Sequence, residues 1–174
     1  MGQPPLVDPA PPLVRVRDFV KRYRQQMAVD GASLEIAPGE IYGLIGPDGA
    51  GKSSLMKAIA GVLAYEGGAV QVFGQDIDSE AAAERVKVRL GFMPQGLGLN
   101  LYPELSVEEN VNFFAELRDV GPELLAQRKQ KLLAMTRLDK FRARPMKQLS
   151  GGMKQKLGLV CTLIHEPELI ILDE

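Results

Sequence analysis

Apolar and polar residues alternate along the first part of the chain, and this two-residue period predicts half-buried β-strands. The alternation covers residues 13–19 and 28–36, and further strands are predicted at 67–73, 89–93 and 169–172. Residues 41–45 are apolar on both faces, which predicts a central strand of a covered parallel sheet. The last strand, 169–172, is predicted to be short and buried.

Four helices are predicted between the strands. A helix is predicted from about 52 to 60, directly after a glycine-rich turn. Ser106 and Glu109 have the spacing of a capping box, which opens a second helix ending near Arg118. Pro122 suits the first turn of a third helix, and a fourth is predicted over 151–165. Together the elements predict an α/β core that carries a helical subdomain.

Composition narrows the class of protein. The 21 lysines and arginines nearly cancel the 22 aspartates and glutamates, so no basic excess indicates a nucleic-acid partner. Cys161 is the single cysteine, and its apolar neighbours predict a buried small side chain, not a nucleophile. Neither a membrane-spanning run nor a signal peptide is indicated, so we expect any membrane association to come through a partner. The first twelve residues are proline-rich and predict a flexible tail.

Residues 46–53 fit the pattern G-x-x-x-x-G-K-[ST] of loops that cradle phosphates. Glycines let the backbone curl so that N–H groups point at phosphate oxygens, and the following helix adds the positive end of its dipole. Lys52 supplies a full charge to the β- and γ-phosphates, and Ser53 offers a hydroxyl to Mg²⁺. The loop reads Gly46-Pro47-Asp48-Gly49-Ala50-Gly51-Lys52-Ser53.

Residues 149–155 match the pattern L-S-G-G-x-x-Q, which is also compatible with an ordinary helix N-cap. With this segment the chain resembles the ATP-binding domain of ABC transporters over residues 13–174 and ends just after the Walker B strand. The resemblance implies a P-loop NTPase fold, with a RecA-like core, an antiparallel β subdomain and a helical ABC subdomain, and with its C-terminal part missing. It implies a core at 13–94 and 165–174, a helical subdomain at about 95–164, and a tail at 1–12.

The resemblance also implies ATP and Mg²⁺ as cofactors and assigns a role to each matching residue. Tyr23 would stack on adenine, although core packing is an open alternative for this side chain. Glu174 would orient or deprotonate the attacking water, with Lys52 and Gln95 as further catalytic residues. Mg²⁺ would be held by Ser53, Gln95 and Asp173. Besides residues 46–53, the nucleotide-binding residues implied are Ser54 in the same subunit and Ser150, Gly151, Gly152 and Gln155, which would contact ATP bound to the opposite subunit.

The chain departs from the family pattern at a few positions. Asp48 stands where the family has asparagine and Ser54 where it has threonine, and neither change removes a phosphate ligand. His165 precedes the Walker B strand, so it is not the family's switch histidine, and we expect it at a helix end. The sequence contains neither that histidine nor the D-loop, so we expect this polypeptide alone to hydrolyse ATP poorly.

The family implies two partners: a second ATPase domain bound head to tail, and an integral membrane permease that holds the protein at the cytoplasmic face of the cell membrane. Residues 96–110 resemble the ATPases of multidrug exporters. DNA-repair relatives insert long coiled-coil arms before the L-S-G-G segment, and the interval here is too short for them. A P-loop kinase or GTPase leaves that segment unexplained. A non-transport ABC ATPase, either ribosome-associated or regulatory, stays open.

Overall fold

The computed structural model describes residues 11–96 and 100–173, and the chain divides between Lys87 and Val88 into two units. The predicted tail, apart from its last two residues, lies outside the described part. The elements of the first unit are β1 (Val14–Tyr23), β2 (Gln26–Ile36), α1 (Lys52–Ile59), β3 (Gly67–Val72), β4 (Gln75–Asp76) and α2 (Glu80–Lys87).

The strands of the first unit form an antiparallel sheet in the order β2-β1-β3-β4. Val14, Val16 and Phe19 on β1 are fully or almost fully buried. The inward positions change parity because Asp18 has a positive φ of 46° and the pairing with β2 shifts there, as at a β-bulge. The sheet confirms the strands predicted at 13–19, 28–36 and 67–73.

The prediction of a buried strand at residues 41–45 is wrong for the structure. None of these residues is in a strand, and Ile41 and Ile45 are 99% and 96% exposed. A strand is held by hydrogen bonds to a neighbouring strand, and no described residue of the chain pairs with this segment. An apolar run predicts burial, but it does not determine whether a neighbouring strand pairs with it.

The second unit combines a short parallel strand pair with helices. Its elements are β5 (Leu90–Met93), α3 (Val107–Glu116), α4 (Pro122–Thr136), the 3₁₀ turns Asp139–Phe141 and Met146–Gln148, α5 (Gly151–Leu163) and β6 (Leu169–Leu172). Val111 of α3, Leu133 of α4 and Leu157 of α5 are all fully buried in one apolar cluster. These elements confirm the helices predicted after Ser106, Gly121 and Ser150. Within residues 11–96 and 100–173, no helix has both the length and the apolar character needed to cross a bilayer.

Local chemistry explains where α3 begins. The Ser106 side chain accepts a hydrogen bond from the Glu109 backbone N–H, and the Glu109 carboxylate accepts one from the Ser106 backbone N–H at 2.8 Å. The hydrogen bonds from Ser106 hold the pKa of the Glu109 carboxyl below its usual value. The predicted capping box is therefore confirmed.

Two predictions about burial have different outcomes. Cys161 is buried as predicted, and burial raises the pKa of its thiol far above the usual value, so the thiolate is absent near neutral pH. The strand β6 is less buried than predicted. It pairs in parallel with β5, yet Ile170 and Leu172 are 44% and 49% exposed, so one of its faces is open in the second unit.

His165 makes the second unit sensitive to pH. Its Nε2 lies 3.3 Å from the Leu90 carbonyl oxygen, and its buried Nδ1 has no hydrogen-bond partner within the described residues. Burial lowers the pKa of this imidazole, and the nearby cations Arg118 and Arg128 lower it further. The unfolded chain therefore binds a proton more readily than the folded one, so stability is lost as the pH falls below about 6.5.

We expect the urea midpoint of the protein to fall between pH 7 and pH 5.5, and we expect the His165→Gln variant to lose much less over this range. Glutamine stays neutral throughout, and His165 is the only histidine of the chain. The carboxylates of Glu108 and Glu168 are hydrogen-bonded to Lys129 and Arg89, and their pKa values lie below the usual range, so they titrate at lower pH. Parallel pH profiles for the two proteins would show that His165 does not cause the effect.

Candidate functional site

Residues 46–53 form a tight turn at the start of α1. Gly49 and Gly51 both have left-handed φ values, 80° and 84°, and the Ala50 N–H donates to the Pro47 carbonyl at 3.2 Å. The Lys52 ammonium donates to the carbonyl oxygens of Gly46 and Pro47, each at 2.8 Å. An ammonium has three N–H donors. The loop thus curls around Lys52, and among residues 11–96 and 100–173 its ammonium makes these two hydrogen bonds, so a third donor can reach a ligand.

The helices differ in whether their first turn carries an acidic side chain. Within the described residues, the first turns of α2, α3 and α4 carry glutamates, whereas those of α1 and α5 carry no acidic residue. The residue before α1 is Gly51, which has no side chain to cap the free N–H groups. The helix starts at the two glycine-rich motifs therefore have no acidic side chain in the first turn to offset the positive end of the helix dipole, which suits them to an anion.

Tyr23 lies at the end of β1, and its side chain is 48% exposed. Its hydroxyl and the Ser54 Oγ are 3.1 Å apart, so the two groups share a hydrogen bond. Ser54 is only 8% exposed and belongs to α1, two residues after Lys52. The ring is thus neither a core side chain nor a loose surface one, and it is joined to the helix that carries the phosphate loop.

Beside this tyrosine lies an ion pair between a buried lysine and an exposed glutamate, which the sequence did not predict. The Lys21 ammonium, on a residue 7% exposed, donates to the Ala64 carbonyl and to Glu66 Oε1, each at 2.8 Å. The hydrogen bond from Lys21 is the main cause that lowers the pKa of the Glu66 carboxyl. The two-residue alternation from Val14 and Val16 would point Lys21 outward, and only the bulge at Asp18 turns it to an inward position of β1, where a lysine is rare unless paired.

The segment L-S-G-G-x-x-Q lies at the start of α5. Ser150 is the N-cap, and its side chain accepts from the Met153 N–H at 3.4 Å, so the capping interpretation is confirmed. Ser150, Gly152 and Gln155 are exposed, and Gly151 is half-buried. A Cβ placed on Gly152 would have no atom within 4 Å. Packing inside the described chain therefore does not explain why residue 152 is a glycine.

Gln95 and Asp173 follow the ends of two paired parallel strands. Met93 of β5 is aligned with Leu172 of β6, and the Asp173 N–H donates to the Met93 carbonyl at 2.9 Å. Both side chains therefore start from the same edge of the strand pair. Asp173 is 3% exposed and Gln95 is exposed. Glu174, the predicted catalytic residue, lies outside the described residues.

Ser53, Gln95 and Asp173 each carry an oxygen donor, the ligand type that Mg²⁺, a hard cation, prefers. No described residue belongs to a cluster of three or more His, Cys, Asp and Glu side chains that could hold a metal. Proteins usually bind Mg²⁺ through one or two carboxylates, waters and the phosphates of the substrate. Ser53 is in the first unit, and Gln95 and Asp173 are in the second.

The sequence is similar to those of known ATP-binding proteins. A family profile described as "ABC transporter" matches residues 29–174. The chain is 47% identical to the probable multidrug ABC transporter ATP-binding protein YbhF of Escherichia coli over 84% of this chain and 25% of that protein. It is 33% identical to the Nod factor export ATP-binding protein I of Ralstonia nicotianae, over 94% of this chain and 50% of that protein. It thus spans between a quarter and half of these relatives.

Solved structures resemble the fold as well. An ATP-binding subunit of an ABC transporter superposes with a TM-score of 0.83 at 30% identity, covering 93% of this chain and 66% of that one. CbiO1 of Clostridium perfringens, part of the transporter complex cbiONQ, gives a TM-score of 0.81 at 25% identity, covering 94% and 66%. These matches confirm the P-loop NTPase fold that the motifs implied. The chain belongs to the ABC transporter family, as one of its ATP-binding domains.

Proposed function

We propose that the chain binds Mg-ATP at residues 46–54 and hydrolyses it to drive transport across a membrane. The observation that carries the proposal is the loop around Lys52, whose ammonium is held by the Gly46 and Pro47 carbonyls beside the acid-free start of α1. A full positive charge, a run of backbone N–H groups and a helix dipole at one place are what a triphosphate tail requires.

Phosphoryl transfer needs positioning and charge neutralisation more than covalent chemistry from the protein. Lys52 would neutralise charge on the β- and γ-phosphates, and the loop amides would orient them. Ser53, Gln95 and Asp173 would hold Mg²⁺, which supplies further positive charge when bound. Glu174 would orient the attacking water or take its proton. Tyr23 would provide a surface for the adenine.

The exposed start of α5 supports a second half of the site in another subunit. Ser150, Gly151, Gly152 and Gln155 would contact the γ-phosphate of ATP bound to a partner domain, in a head-to-tail dimer. Packing within the described chain leaves room for a side chain at position 152. A ligand that approaches the backbone closely there would require a glycine. The dimer would close on ATP because the closed state binds ATP more tightly, and hydrolysis would reopen it.

The transporter would be an exporter of small molecules, and its permease would hold the domain at the cytoplasmic face of the cell membrane. The support is the names of relatives that include multidrug transport and Nod factor export, although a relative named for spermidine/putrescine import also matches at 33% identity. In this scheme residues 13–94 and 165–174 are the core, and residues 95–164 are the helical subdomain that transmits closure to the permease.

Purification of the tagged protein from its own cells tests the transport role. We expect it to elute with an integral membrane protein after detergent extraction, both for the unmodified protein and for Lys52→Ala, because the permease contact does not need ATP. Co-sedimentation with ribosomes and no membrane protein would contradict the proposal and favour a non-transport ABC ATPase.

A further inference from the structure

The end of β1 is fixed by the carboxylate of Glu66, whose side chain is 45% exposed. Glu66 accepts from the Lys21 ammonium through Oε1 at 2.8 Å and from the Arg22 backbone N–H through Oε2 at 2.7 Å, and its own N–H donates to the Val20 carbonyl at 3.0 Å. Lys21 donates a further hydrogen bond to the Ala64 carbonyl. The last residues of β1 before Tyr23 are thus tied to residues 64–66 by both backbone and side-chain contacts.

The same lysine contacts the aromatic ring. The Lys21 ammonium lies 5.1 Å from the centroid of the Tyr23 ring, within the range of a cation–π interaction. At the far end of the ring, the hydroxyl is hydrogen-bonded to Ser54. Both anchors are buried, Lys21 to 7% and Ser54 to 8% exposure, whereas the ring keeps 48% of its surface exposed. Lys21 therefore contacts the face of the Tyr23 ring, Ser54 holds its hydroxyl, and part of the ring faces solvent.

We propose that Lys21, Glu66 and Ser54 are positioning residues that hold the Tyr23 ring as a rigid platform for the base of the bound nucleotide. The proposal rests on the function proposed above, because the platform matters only if the loop at 46–54 binds a triphosphate. A ring already fixed in place loses little conformational entropy when a base stacks on it, and preorganisation of this kind raises affinity. The platform would therefore favour ATP over the same phosphate chain without a base.

Two ligands separate the platform from the phosphate loop. Mg-ATP contacts both, whereas inorganic tripolyphosphate with Mg²⁺ contacts the loop alone. The ratio of their affinities therefore reports the base contribution, and a general loss of folding would lower both affinities together. Tyr23→Leu removes the ring and sets the full size of this contribution.

The variants Lys21→Met and Tyr23→Phe remove the two anchors of the ring separately. Lys21→Met keeps a long apolar side chain without the charge, and Tyr23→Phe keeps the ring without the hydroxyl. We expect each to weaken ATP binding about two- to tenfold, the range for freeing one ordered side chain, while tripolyphosphate affinity stays unchanged. Lys57→Met, which removes a lysine from the last turn of α1, is the matched control and should change neither affinity.

Ser54 distinguishes positioning from direct phosphate binding. We expect Ser54→Ala to lower ATP affinity as much as Tyr23→Phe does, and the double variant to lose no more than either single one, because both break the same hydrogen bond. Ser54→Thr keeps a hydroxyl and should restore the ATP affinity.

Several results would overturn the inference. Equal losses for ATP and tripolyphosphate in Lys21→Met and Tyr23→Phe would do so, as would an unchanged affinity ratio in Tyr23→Leu. The inference and the proposed function fail in different ways. If the unmodified protein binds tripolyphosphate and ATP equally well, the platform is absent but the phosphate loop stands. If it binds neither ligand, the proposed function itself fails.

Discussion

Replacing Lys52 with alanine is expected to weaken Mg-ATP binding by roughly a hundredfold or more. The ammonium makes charge-assisted hydrogen bonds, each of which contributes about 1.5–3 kcal/mol, and about 3 kcal/mol corresponds to a hundredfold in affinity. The variant also loses the contacts at 2.8 Å to the Gly46 and Pro47 carbonyls, which hold the loop in its curled form. Fluorescence titration with a labelled ATP analogue measures the change.

The matched control is Lys57→Ala, which removes the same charge from the last turn of the same helix. We expect its ATP affinity to stay within about twofold of the unmodified protein, because a charge farther from the ligand is screened by salt. Equal losses in the two variants would mean that net charge, and not the position of Lys52 in the loop, determines binding.

Gly51→Ala is expected to destabilise the first unit by about 3 kcal/mol and to abolish ATP binding at the concentrations that saturate the unmodified protein. Gly51 has a φ of 84°, and a Cβ there would lie 2.3 Å from Val29 Cγ2 and 2.6 Å from the Ala28 carbonyl oxygen. The alanine is therefore strained by its backbone conformation and also by a contact with backbone that cannot move away cheaply. Urea unfolding and ATP titration check the two effects.

Gly49→Ala separates strain from contact. Gly49 has a similar φ of 80°, but a Cβ there would have no atom within 4 Å. We expect this variant to lose about 1 kcal/mol, the cost of the left-handed conformation alone. If Gly49→Ala and Gly51→Ala proved equally unstable, the close approach of β2 to the loop would contribute nothing.

Local signals in the sequence predicted most elements of the fold. The alternation in β1 and β2, the capping box before α3 and the serine before α5 act over a few residues, so they can be read without tertiary structure. The helix α2 was overlooked although Ser79 accepts a hydrogen bond from the Ala82 N–H at 3.3 Å, as an N-cap does. This cap is a local signal that lies within four consecutive residues.

Features that depend on distant partners could not be predicted in this way. Residues 41–45 have the composition of a central strand, but strand formation needs a pairing neighbour, and composition does not report one. The hydrogen bond between Tyr23 and Ser54 joins residues 31 positions apart, and the ion pair between Lys21 and Glu66 joins residues 45 apart. The candidate phosphate loop was predicted because its chemistry lies within eight consecutive positions. The Ser54 and Glu66 side chains that support Tyr23 could not be predicted, because they lie far from it in the sequence.

Titration calorimetry of the unmodified protein with Mg-ATP, with Lys52→Ala as the reference, tests the central claim that residues 46–53 bind a triphosphate. The account predicts a saturable heat that corresponds to one ATP per chain and that disappears in Lys52→Ala. Folded protein that gives no heat with millimolar ATP at two temperatures, or the same binding curve for both proteins, would contradict it.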